Sequence, residues 1–71
     1  MTAKTTAQNI SADLSGAFPA QRFSLTTHVF EELEVVYVTW IAGPTRAKVE
    51  AVTETYVTAN VSVAFDHIAS A

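Results

Sequence analysis

The sequence predicts an α+β domain in the order α-β-β-α-β: an antiparallel hairpin plus a third strand, with two helices packed on one sheet face. Three observations lead there. Apolar residues recur at three- and four-residue steps in two segments, the spacing that lines one face of a helix. Three other segments are rich in Val, Thr, Phe, Tyr and Trp, residues that favour strands. Between Val35 and Val49, a dense strand run stops at Gly43-Pro44 and a helix-type pattern starts directly after it.

Residues 1–4 read as a flexible lead. From Thr5 or Thr6 to Ala17, the positions Ala7, Ile10, Leu14 and Ala17 form one apolar stripe, with Gln8, Asn9 and Asp13 left for solvent. A threonine caps the start, Gly16 with Pro19 marks the end, and Phe18 folds back onto the core. Arg22 to His28 alternates, with Phe23, Leu25 and Thr27 facing one way and Ser24, Thr26 and His28 the other. This is the pattern of a half-buried strand. Val29 to Glu34 holds Glu31, Glu32 and Glu34 without Gly or Pro. It therefore predicts a hairpin loop longer than two residues.

The second strand, Val35 to Ile41, does not alternate. Val36, Val38 and Trp40 line one face, while Val35, Tyr37 and Ile41 line the other. A strand apolar on both faces is normally covered on both, and two helices can cover only one face of so small a sheet. Pro44 lacks an N–H and cannot continue a central strand, and its fixed φ suits the first turn of a helix. That helix runs from Thr45 to Tyr56 with Val49, Val52 and Tyr56 inward and an Arg46–Glu50 pair outside. Val57 to Phe65 returns to strand composition, with Val61, Val63 and Phe65 on one face, and residues 66–71 fray. A right-handed crossover would set this strand parallel to the second. Either the first or the second strand is central, and the doubly apolar character of the second favours it.

Seventy-one residues make one domain near the lower size limit for an independent core. Such a chain buries only about 60% of its unfolded surface. There is no Cys, so neither disulfide nor thiolate–metal bond can add to that core. With 49% hydrophobic and only 15% charged residues, either the packing is unusually good or a partner or second copy covers more apolar surface. Net charge is −3, and Lys4, Arg22, Arg46 and Lys48 are scattered, which argues against phosphate neutralisation and direct nucleic-acid binding. No apolar run approaches the ~20 residues of a membrane span. No apolar signal core follows Met1, so the chain reads as cytoplasmic.

Chemistry-bearing residues are few. His28 with Glu31 and Glu32 offers metal-ligating atoms, but one His with loop carboxylates matches no metal-site spacing. Asp66-His67 has the composition of an imidazole oriented by a carboxylate, without a nucleophile or oxyanion device beside it. Gly16 and Gly43 are the only glycines, so a phosphate-cradling loop is absent. These residues predict a non-enzymatic chain with no catalytic residue, metal or cofactor. Trp40 reads as core, whereas Tyr37, opposite it and carrying a hydroxyl, reads as an interface residue.

The segment Trp40-Ile-Ala-Gly-Pro-Thr-Arg-Ala-Lys-Val-Glu-Ala-Val52 resembles the large polyvalent protein-associated domain type 29 of phage and plasmid mobile-element proteins. The resemblance extends over residues 10–56. It includes Ala17-Phe18-Pro19, Arg22-Phe23-Ser24, Trp40, Gly43-Pro44 and Val49-Glu50. Members typically carry a polar pair, often Thr-Asp, between the Trp and the Gly; here it is Ile41-Ala42, so no role of that acid transfers. The resemblance brings no catalytic residues. It implies a mobile-element setting, in which small acidic proteins often bind a host protein, for example as counter-defence or anti-CRISPR inhibitors.

The expected function is therefore a small binding protein that engages a host protein or protein complex. Its site is expected on the outer sheet face at Val35, Tyr37 and Ile41, rimmed by Glu31, Glu32 and Glu34. The alternative is a structural module that forms a homodimer through the same face.

Overall fold

The computed structural model describes residues 3–69. The order is α1 (Ala3–Ala17), β1 (Ser24–Phe30), β2 (Leu33–Ile41), α2 (Arg46–Thr53), a 3-10 turn (Glu54–Tyr56) and β3 (Val61–Ile68). The fold class is the one expected. The sheet order is β1-β2-β3, so the doubly apolar strand is central, with β1 antiparallel and β3 parallel to it. Both helices contribute to one core of Ile10, Leu14, Val36, Val38, Trp40 and Val49.

The helix α1 begins at Ala3, within the expected flexible lead, while residues 1 and 2 of that lead lie outside the described residues. Ile10 and Leu14 are fully buried and Ala7 packs beside them, as the stripe predicts. Ala17 is exposed; Phe18 takes the next core position. The helix runs through Gly16, and Pro19 is the real stop because it disfavours helical geometry in the residue before it.

The hairpin is tighter than its sequence suggests. β1 continues to Phe30, which pairs with Leu33, leaving only Glu31 and Glu32 in the turn. The sequence lacks the glycine that usually takes a positive φ there, and Glu31 takes it instead, at 55°.

Thr45 caps α2, its hydroxyl accepting the Lys48 N–H at 3.4 Å. Pro44 thus lies before the cap rather than in the first helical turn, and its carbonyl accepts the Trp40 indole N–H at 2.9 Å. The inward residues are Val49 and Thr53, with Val52 and Tyr56 partly buried. Arg46 lies over the Phe65 ring, 5.5 Å from its centroid.

β3 starts four residues late and ends three residues late relative to the sequence reading. Thr58 holds the start back: its hydroxyl accepts the N–H groups of Asn60 and Val61, closing a turn that strand pairing would have to break. The expected fraying from Asp66 gives way to strand up to Ile68, while residues 70 and 71 lie outside the described residues. Asp66, His67 and Ile68 pair with Thr39, Trp40 and Ile41, and the Ile68 carbonyl accepts the Ala42 N–H at 2.6 Å.

Candidate interaction surface

Because side chains alternate along strands, the register assigns every residue to a face. The inner face of β2 carries Val36, Val38 and Trp40, at most 2% exposed. Trp40 is the hub. Phe23 lies 5.6 Å from it, Phe65 meets it edge-on at 6.1 Å, and His67 stacks on it at 4.6 Å. With the indole N–H satisfied by Pro44, a large aromatic is buried without an orphaned donor.

Among the described residues, no helix lies over the outer face. Its rows run Phe30–Leu33, then His28–Val35–Ser62, Thr26–Tyr37–Ala64, Ser24–Thr39–Asp66 and Ile41–Ile68. Phe30, Leu33, Tyr37, Ile41 and Ile68 are each between 40 and 54% exposed. Two clusters result. Near the hairpin, His28 meets Tyr37 edge-on at 5.3 Å and stacks with Phe30 at 6.0 Å, beside Leu33. At the other end, Ile41 and Ile68 border a cavity of about 460 Å³ that Arg22, Ser24 and Thr39 also line.

Of the six residues expected at the site, Val35, Tyr37 and Ile41 do share this face, with Val35 less exposed than the other two. Glu31 and Glu32 form the turn at its hairpin end and are exposed. Glu34 does not belong with them. It pairs with Val29 and Val61 on the helix side, and its Oε2 is buried without a protein hydrogen-bond partner. It lines a cavity of about 290 Å³ with Thr6, Thr55, Tyr56, Thr58 and Val61. The reason is parity: once β2 begins at Leu33, even positions point inward.

Phe30, Leu33, His28 and Ile68 join the surface without having been expected there. Extending the alternation of β1 by two residues would have found Phe30 and put His28 on the same face as Tyr37. Ile68 was hidden by ending β3 at Phe65. The Asp66-His67 pair is taken apart by the same alternation. Asp66 points outward, while His67 points inward to the Trp40 ring, its Nε2 3.0 Å from the Ala42 carbonyl. His28 is engaged with aromatic rings, and among the described residues no group of three or more His, Asp or Glu is placed to hold a metal ion. No helix among them is long and apolar enough to cross a membrane.

The strand-to-helix junction closes the far end of the sheet. Ala42 and Gly43 both take positive φ, 53° and 67°. A Cβ at Gly43 would meet the Gln21 amide, which donates to the carbonyls of Arg22 and Ile41. Position 42, where the resemblance leads one to expect an acid, is thus a left-handed position that suits Asp or Asn.

The fold and its open face define a small mixed-sheet α+β domain with helices on one side. The chain belongs to the family described as large polyvalent protein associated domain 29, whose model matches residues 1–71. That match reaches beyond the 10–56 of the motif resemblance, across both termini. Comparison with curated proteins and with solved structures gives no match.

Proposed function

We propose that this domain is a non-enzymatic binding module of a phage or other mobile element, acting by docking a host protein on its outer sheet face. The observation that carries this reading is the exposure of Phe30, Leu33, Tyr37, Ile41 and Ile68 on a face that has no helix over it. Aromatic anchors surrounded by small polar residues suit a protein partner, because rigid rings concentrate binding energy with little entropy loss. The exposed Glu31 and Glu32 beside the Phe30–Leu33 cluster favour a partner with basic groups at that margin. Within that setting, a counter-defence inhibitor such as an anti-CRISPR protein is the specific form of the reading.

Capture from a bacterial host lysate tests it, with the unmodified chain and Tyr37→Ser compared side by side. One host protein retained by the first and lost by at least tenfold with the second, at an unchanged unfolding midpoint, is the expected result. Equal retention by both, or unfolding of the variant, would sink this site.

A further inference from the structure

The second open surface of the molecule is the free edge of β1, and it is distinct from the outer face. The hydrogen-bonding direction of each residue follows from the central strand. The Glu34 N–H donates to Asn60 and the Ala42 N–H to Ile68, so even positions of β2 bond toward β3. The Ile41 carbonyl, at an odd position, accepts Gln21 on the β1 side. Antiparallel pairs alternate between bonded and non-bonded. Hence Ser24, Thr26, His28 and Phe30 bond to β2, while Leu25, Thr27 and Val29 turn their N–H and C=O groups to the free edge.

This edge lacks the usual protections. Edge strands are normally kept from pairing by charged side chains, Pro or a bulge. Ser24-Leu-Thr-Thr-His-Val-Phe30 has none of these, whereas the opposite edge strand, β3, carries Asp66. Beside the edge, on the helix side, lies an open groove of about 590 Å³ lined by Ala7, Gln8, Ser11, Leu25, Thr27 and Val29, among others. Val29, at its end, is 59% exposed although it points to the helix side.

We propose that β1 pairs with β1 of a second copy of this chain, antiparallel about a two-fold axis at Thr27. That register sets Thr27 against Thr27 and Leu25 against Val29 of the second copy. All the outward N–H and C=O groups are then used, in about six backbone hydrogen bonds. Facing parity is preserved, so apolar Leu25 meets apolar Val29 and Thr26 meets His28, with no like charges opposed. The groove receives the side chains of the second copy that match it, and Val29 is covered. Since α1 touches both β1 and β2, its axis and that of its copy would lie two strand spacings apart, about 10 Å. Helices pack at 8–10 Å, and the small residues Ala7 and Ser11 on the groove side permit that approach. The product is a continuous six-stranded sheet whose outer face stays open, so this proposal stands or falls separately from the host-protein reading.

Sedimentation velocity on the full chain, from about 10 μM to about 500 μM, spans moderate dimer affinities. The expected result is a dimer at the upper end, weakened at least tenfold by Thr27→Pro, which removes only an outward N–H. Because the chain has no cysteine, single-cysteine variants read the geometry directly. Under mild oxidation Thr27→Cys should become mostly disulfide-linked and Ala64→Cys, on the outer face, should not. If Thr27→Pro fails to fold, the cysteine pair decides. A monomer at every concentration overturns the proposal, even if a foreign extended peptide binds β1. So does linkage at Ala64 but not at Thr27.

Discussion

The two faces of β2 have nearly the same chemistry and opposite fates. Val36, Val38 and Trp40 are sealed under α1 and α2, while Val35, Tyr37 and Ile41, from the same nine-residue strand, face outward with no helix over them. Residue type alone does not decide burial. The number of helices does: two short helices carry enough apolar surface to cover one side of a three-stranded sheet. The inner face is held by packing, and the outer face retains apolar area that only another molecule can bury.

The widest separation between the faces should appear on truncating one aromatic from each. Trp40→Ala removes the ring that Phe23, Phe65 and His67 pack against, together with its Pro44 hydrogen bond. It should cost about 3–5 kcal/mol, enough to unfold so small a domain. Tyr37→Ala should cost about 1 kcal/mol or less, the lost ring contact with His28 being its main stability effect. Urea denaturation of both variants checks this, and comparable losses would erase the distinction.

A gain smaller than the Trp40 loss is expected where β2 ends. Ala42→Asn places a residue that tolerates positive φ at a position held at 53° and should raise stability by up to about 1 kcal/mol. An unchanged urea midpoint would mean that the junction is not held in this geometry.

The smallest effect concerns the helix layer that covers the inner face. The Tyr56 hydroxyl donates to the Asp13 carboxylate, tying the 3-10 turn after α2 to α1. That hydrogen bond, then burial, then the Asp13 charge raise the Tyr56 pKa above 10.0. The folded state thus favours the protonated phenol. Its contribution is complete below the unfolded value and is lost as pH rises through the folded one. The pair is largely solvent-exposed, so the effect is shallow. Thermal midpoints between about pH 9 and about pH 11 should fall slightly more steeply for the unmodified chain than for Tyr56→Phe. Parallel curves would remove Tyr56 from the account.

Much of this architecture was legible because periodicity is a local property. Ile10 and Leu14, the alternation from Phe23 to His28 and the two-faced run from Val35 to Ile41 each declare an element within a few residues. The errors fell where a side chain or a turn overruled composition. Thr58 captures two N–H groups and delays β3, and Glu31 accepts a positive φ and tightens the hairpin. His67 finds Trp40 and extends β3 past the point where composition stops supporting it. These boundary shifts then decided the surface: moving β1 by two residues brought in Phe30, and starting β2 at Leu33 turned Glu34 inward.

By itself, the sequence determined the order α-β-β-α-β, the stop at Gly43-Pro44, the doubly apolar second strand and the placement of Val35, Tyr37 and Ile41 on one face. Hydrophobic period and backbone chemistry act within a few residues of each other, which is why these features can be read along the chain. Only the tertiary structure decided the cross-strand register, the separation of Asp66 from His67, the inward turn of Glu34 and the open edge at Leu25, Thr27 and Val29. Those depend on which strand lies beside which, and no residue carries that information until the chain has closed on itself.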